Sequence, residues 1–235
     1  MGAGTCSLTE PSFQIWLVVL NGLMSEYLRR VGRFFGLIAA VPFLIAFIGA
    51  WSAGLGFFLF IIGIPAAFLV LVVGSIAWFV RSYRHGKEVH AKRDRVVIYA
   101  AAPTLLVITL CLSLPLLAVG SYTGTMSRLM LNRGHYEAII AKVRSDPKPA
   151  WFQDDGGVTY SVDLGPPIRV AFNPAGMLDN WSGIIYDPTG DVMLADGFDP
   201  KTGKFAAPDR VTKLFNGDLV SCRRLWGDYY DCSFT

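Results

Sequence analysis

Cys222 and Cys232 are the residues whose types and spacing most directly imply a bond. No CxxC or paired-His spacing accompanies them, which sets zinc aside and leaves a disulfide, given an oxidising compartment. If Trp226-Gly227-Asp228 is a three-residue turn, Leu225 faces Tyr229, Arg223 faces Asp231 and Cys222 faces Cys232. Cross-strand neighbours of that kind lie ~4.5 Å apart at Cα, at the lower end of the ~4.4–6.8 Å that disulfides span.

Carboxylates are the next group that could act. Asp154-Asp155 precede Gly156-Gly157 and read as a loop, and Asp187, Asp191, Asp196 and Asp199 form a denser run. Such a set is where a hydrolase or transferase would keep an acid and a base. Yet each Asp of the run lies among Gly or Pro, as turn residues do, and the spacing matches no EF-hand loop. His135 is the sole histidine after the apolar part of the chain, and His85 and His90 are five apart, off the i,i+4 spacing of helical metal ligands. GxSxG and HExxH are missing. The sequence therefore implies neither metal nor cofactor, and no catalytic residue is assigned. Asn180-Trp181-Ser182 fits a glycosylation acceptor, relevant only in a eukaryotic secretory pathway.

What remains is recognition chemistry. Arg223, Arg224, Trp226, Tyr229 and Tyr230 crowd the last hairpin, and Trp, Tyr and Arg are the side chains that anchor protein interfaces. Alternation along a strand puts Tyr229 and Tyr230 on opposite faces, one in a core and one exposed. A covering role, shielding the sheet and the disulfide, is the competing reading.

The elements that carry these residues fall into two unlike halves. Residues 1–119 hold nine Lys/Arg against four Asp/Glu, a net of +5, and residues 120–235 hold twelve against fourteen, a net of −2. The mildly acidic second half excludes a nucleic-acid surface. From Phe34 to Val80, forty-seven residues pass without an ionisable Asp, Glu, Lys, Arg or His. A hydrocarbon core needs ~20 apolar residues per helical crossing, so this run crosses twice, and Val96–Val119 crosses again. The fold class expected is a membrane protein of three transmembrane α-helices, at about 34–50, 57–80 and 96–119, followed by a small α+β domain over 120–235.

Residues 1–33 precede the first span as a cytoplasmic or interfacial segment. Phe13–Leu20 within it is too short to cross, and Met24 is an alternative start to Met1. Pro42, Pro65, Pro103 and Pro115 lie within spans, and Ala46, Ala50 and Gly54 form a small-xxx-small line suited to close helix packing. The basic loop 81–95 carries Arg81, Arg84, Lys87, Lys92, Arg93 and Arg95, and Arg29, Arg30 and Arg33 flank the first span. These cations serve either as a topogenic cluster or as contacts to lipid or a partner. Cations stay cytoplasmic, which places both groups inside and residues 120–235 outside. In a bacterium, as the tight spans suggest, that means the inner membrane and the periplasm, where a disulfide persists.

In the outer part, Met126, Leu129, Met130, Tyr136, Ile139, Ile140 and Val143 recur at helical spacing over 123–144. Pro147 and Pro149 end that helix. Beyond it, Val158–Leu164, Ile168–Phe172, Ile184–Tyr186, Val192–Leu194 and the last hairpin read as strands. Together they predict one helix against an antiparallel sheet of five or six strands. The spans contain no acidic, basic or His side chain, which argues against an ion-coupled transporter. The functional expectation is a non-enzymatic accessory, assembly or envelope-sensing protein whose outer domain binds a protein partner, with lipids or a homo-oligomer as further contacts. An Asp-dependent envelope hydrolase or transferase, and a channel or transporter subunit, are the alternatives.

Overall fold

A computed structural model of the protein describes residues 11–89, 91–177 and 179–235. Cys6 and His90 lie outside them. Helix α1 covers Pro11–Trp51, α2 Ala53–Phe58, α3 Ile64–Glu88 and α4 Lys92–Ser145, with a π-helical turn at Leu59–Gly63. Three stretches, Glu26–Trp51, Gly54–Lys87 and Lys92–Ser145, are long and apolar enough to cross a membrane. Helix is what such sequence must form, because hydrocarbon offers no partner to an unpaired backbone amide. The π turn precedes Pro65, which falls in the first turn of α3 where its missing N–H costs nothing.

Three boundaries differ from the sequence reading, the first being that the span at 96–119 and the helix over 123–144 are one continuous helix, α4. Phe13–Leu20 belongs to α1, which opens at Pro11. The basic segment is also mostly helical: α3 runs to Glu88 and α4 starts at Lys92. Lys87 closes α3, while Asp94 opens α4, each charge suiting the local helix dipole. Arg95 folds back so that Nε and a terminal nitrogen donate to the Val89 carbonyl at 3.2 and 2.8 Å.

The chain divides into two compact units, one of residues 1–46 with 58–120, the other of 47–57 with 121–235. In the first, Tyr27, Val31 and Phe35 of α1 pack with Leu71 and Val89, and with Ile98 and Ala102 of α4. The Tyr27 and Ser82 hydroxyls bond to each other within this cluster. Gly120 lies against Phe43, where a methyl group would stand 2.3 Å from the carbonyl oxygen. A further close approach falls on the Ala46–Gly54 line itself, where a methyl group on Gly124 would stand 2.8 Å from the Ala50 Cβ.

In the second unit, Arg128 donates to the Ala50 carbonyl at 3.1 Å, capping the end of α1, and Trp51 Nε1 donates to Ser127 Oγ at 3.2 Å. The sheet follows α4: β1 Phe152–Asp155, β2 Val158–Asp163, β3 Arg169–Met177, β4 Asn180–Tyr186, β5 Phe198–Asp199, β6 Lys204–Phe205, β7 Lys213–Leu214, β8 Gly217–Trp226 and β9 Tyr229–Phe234. A short helix α5, Asp209–Thr212, precedes β7. The main sheet is antiparallel with seven strands, in the order β1-β2-β3-β4-β9-β8-β7, and β5-β6 is a separate ribbon. Val192–Leu194 is not a strand but part of a 3₁₀ turn, because the Asp187 carboxylate takes the Val192 N–H at 3.1 Å and curls the segment.

The sheet is buried on both faces. Leu129, Tyr136, Ile139, Ile140 and Val143 of α4 share one cluster with Tyr160, Val162, Val170, Phe172, Ile184 and Tyr229. Met130 of the anticipated stripe stays 42% exposed. On the other face Ala171, Ile185, Tyr230, Cys232 and Phe234 meet Val192, Val211, Leu214 and Phe215. Strand alternation thus sends Tyr229 and Tyr230 into two different cores and exposes neither. The expectation that one of them faces solvent fails because a second apolar layer, supplied by the loops after β4, covers the far face.

Cys222 and Cys232 form a disulfide across the β8–β9 pair, with Arg223 opposite Asp231. The turn is tighter than the three-residue reading. Trp226 pairs with Tyr229, and Gly227 at φ 56° takes the first of two turn positions, as a type II′ turn wants. Leu225 is left as a bulge, and its side chain joins the α4-side cluster instead of facing Tyr229.

Two stability outcomes follow. Phe172→Ala should cost about 3–5 kcal/mol, read by denaturant unfolding of the purified protein followed through the sheet's far-UV signal. The pair Cys222→Ser/Cys232→Ser should lose about 2–3 kcal/mol through the freed short loop; an unchanged midpoint would show the staple to be energetically idle.

Candidate functional site

The acidic residues sort into structural roles. Asp187 is fully buried: Oδ1 accepts from Arg169 Nε at 3.1 Å and from Thr189 Oγ1 at 2.8 Å, while Oδ2 accepts from the Val192 amide. Arg169 is itself 3% exposed, so this is a buried ion pair with its lone pairs filled. Such a pair fixes geometry more than it adds stability. Asp191 accepts both hydrogen bonds of a bidentate Arg210, at 2.8 and 3.0 Å, which together hold its carboxyl below the usual range. Asp199 accepts from the Lys201 amide and the Thr202 hydroxyl inside the β5–β6 turn. Asp154 closes the β1–β2 turn through the Gly157 amide. Asp155 meets Lys142 Nζ at 2.8 Å and His135 Nε2 at 3.5 Å; the lysine is the main cause of its lowered pKa. Among the described residues no group of three or more His, Cys, Asp or Glu is placed to hold a metal ion.

The hairpin residues separate differently. Arg223 Nε donates to Asp231 Oδ2 at 2.8 Å, a terminal nitrogen donates to Ser121 Oγ at 3.2 Å, and the guanidinium lies 5.0 Å from the Tyr122 ring centre. Burial of Asp231 raises its carboxyl pKa more than Arg223 lowers it. Arg224 is exposed and turns back to the Gly227 carbonyl at 3.0 Å. Trp226 is 54% exposed. Of the five hairpin residues, Arg224 and Trp226 face solvent, Arg223 braces the hairpin, and the two tyrosines are core.

Trp226 stands at the lip of a cleft of about 330 Å³. Its α4 wall is Arg133, Glu137, Ala141 and Arg144; its other side is Tyr186, Asp228 and Tyr229. Arg133 Nε donates to Glu137 at 2.7 Å, and Arg144 donates to the Tyr186 hydroxyl at 2.7 Å with its guanidinium 5.6 Å from that ring's centre. The two arginines are eleven residues apart, three helical turns or ~16 Å along α4, so the cleft is a groove with a cation toward each end. Tyr229 forms part of its lining, its phenol pushed up to about 12 mainly by burial and next by Glu137. This arrangement can hold an extended segment by hydrogen bonds and aromatic contact.

Sequence reasoning found Trp226 and Tyr229 but missed Arg133, Glu137, Arg144 and Tyr186. The available signal was helical: Arg133, Glu137, Ala141 and Arg144 repeat at i, i+4, i+8 and i+11 beside the apolar stripe, marking one flank of α4. A second cleft, about 480 Å³, lies among Trp151, Leu164, Lys213 and Phe215. Its acidic member Asp163 is occupied with the Gly165 amide. Comparison with known proteins finds no match to this chain among protein-family models, curated proteins or solved structures.

Two measurements check these assignments. Asp187→Asn leaves the buried Arg169 with only the more distant Asp191, at 3.8 Å, as counter-ion, and should cost about 3 kcal/mol, more than the joint change Arg169→Met/Asp187→Leu. Tyr229, whose folded pKa is raised, contributes stability that is fully present below its unfolded value of ~10 and is lost as pH rises through about 12. Tyr229→Phe should therefore flatten the fall in stability between those values, and an identical alkaline profile would refute the burial effect.

Proposed function

We propose that this chain is a non-enzymatic integral membrane protein whose outer domain receives a protein partner in the Arg133–Arg144–Trp226 groove, in an accessory, assembly or envelope-sensing role. In this reading the chain crosses a bacterial inner membrane three times, with the basic end cytoplasmic and residues 120–235 periplasmic. The asymmetry of Lys/Arg supports that orientation, and the Cys222–Cys232 bond suits an oxidising compartment. The observation that carries the reading is Trp226: it is exposed beside a groove while both neighbouring tyrosines are buried. A large rigid aromatic on a stapled hairpin loses little conformational entropy on docking, which is how interface anchors act.

The test places a photo-crosslinking residue at position 226 in cells, and at exposed Lys201 as a control. One discrete adduct from 226, absent from 201, is expected. Trp226→Ala and Arg144→Ala should each weaken copurification of that adduct's protein by roughly tenfold to a hundredfold, with the disulfide still formed. Equal, diffuse labelling from both positions, or full copurification by both variants, would sink the proposal.

A further inference from the structure

We infer that the basic end of the membrane unit is a binding surface for acidic phospholipid headgroups, in addition to setting topology. Between residues 26 and 95 stand nine Lys/Arg and three Asp/Glu. Among the described residues, Arg30 pairs with Glu26 at 2.5 Å and Arg95 donates to the Val89 carbonyl. Arg29, Arg33, Arg84, Lys92 and Arg93 are exposed and, among the described residues, make no ion pair within 4 Å.

The helices bring these cations together. Tyr27, Val31 and Phe35 of α1 pack against Val89 of the α3 end and Ile98 of α4, so the basic turns of all three helices surround one cluster. On each helix exposed cation gives way to exposed hydrocarbon within about one turn. Arg33 is followed by Leu37, 72% exposed; Phe79 and Val80, 55% and 43% exposed, precede Arg81; Arg93 is followed by Val96, 58% exposed. The cations therefore stand where apolar surface ends, the depth of lipid phosphates.

Aromatic side chains hold the same level. The Arg81 guanidinium lies 5.5 Å from the Trp78 ring centre, Lys87 Nζ lies 4.4 Å from the Tyr83 ring centre, and Tyr83 stacks on Tyr99. These contacts tether the two cations without neutralising them, which leaves their charge for an anion. A topogenic cluster needs only the count of cations; it does not need exposed cations gathered from three helices around an aromatic collar.

The full-length protein in mild detergent, given phosphatidylglycerol and phosphatidylcholine in equal amounts, tests the proposal by native mass spectrometry of retained lipid. The wild type should retain phosphatidylglycerol selectively. Arg33→Gln/Arg84→Gln/Arg93→Gln should lose on the order of a hundredfold in that selectivity, and the matching Arg→Lys triple variant should keep it. Lys148→Gln/Lys201→Gln, in the C-terminal part, should change nothing. Should the Gln variant fail to fold, the wild type decides alone: selectivity must collapse in about 1 M salt, where the Debye length is ~3 Å. Equal retention of the two lipids, selectivity unaffected by salt or by the Gln variant, or displacement of phosphatidylglycerol by an equal concentration of inorganic phosphate would each overturn the inference.

Discussion

Tyr136 lies face to face on Phe172, ring centres 4.3 Å apart, and the C-terminal unit is arranged around that contact. Tyr136 belongs to the apolar stripe of α4, and Phe172 sits at the middle of β3. The Tyr136 hydroxyl accepts from Asn173, whose φ of 48° begins the bulge where β3 shifts register against β4. One aromatic side chain thus supplies apolar area to the core and a hydrogen-bond partner to an irregular backbone. Because Phe172 pairs with Tyr160 on β2 and Ile184 on β4, the strands on both sides are held by the same contact.

The opposite face of the sheet needs a different solution, since no long helix covers it. Loops do so, and loops carry polar backbone that must be satisfied. The Arg169–Asp187 pair meets that need. Asp187 takes the amides of Thr189 and Val192, winding the chain after β4 so that Val192 points into the second cluster. Phe215 closes the same cluster from the β7–β8 turn at φ 52°, an uncommon conformation for a bulky residue, which the packing against Trp181 and Phe234 supports. Both faces are buried, so the large apolar side chains this unit leaves exposed, Trp226 among them with Trp151, Phe152, Leu164 and Phe198, lie outside the two clusters.

Charge is distributed by the same logic at both ends of the sequence. In the C-terminal unit specific acids engage several of the cations, as in Arg169–Asp187, Arg210–Asp191 and Arg223–Asp231. In the membrane unit acids are scarce, and exposed cations such as Arg33, Arg84 and Arg93 border hydrocarbon with no ion pair among the described residues. Soluble folds satisfy charge internally or with water. A chain at a bilayer edge has a third partner, the lipid phosphate.

The sequence by itself determined the long apolar helices, the antiparallel C-terminal sheet and the Cys222–Cys232 bond. Each follows from a local rule: absence of charge over a helical length, period-two alternation, and hairpin register. It located Trp226 as a recognition residue by type alone. Tertiary structure decided what those rules cannot reach. Tyr229 and Tyr230 alternate as read, but only the layer of Val192, Val211 and Phe215 makes both of them interior. Val192–Leu194 carries strand-like residues, yet a carboxylate five positions earlier winds it into a 3₁₀ turn. The groove joins Arg133 and Arg144 to Trp226 across some ninety residues of chain, and no spacing in a sequence encodes a contact that packing creates.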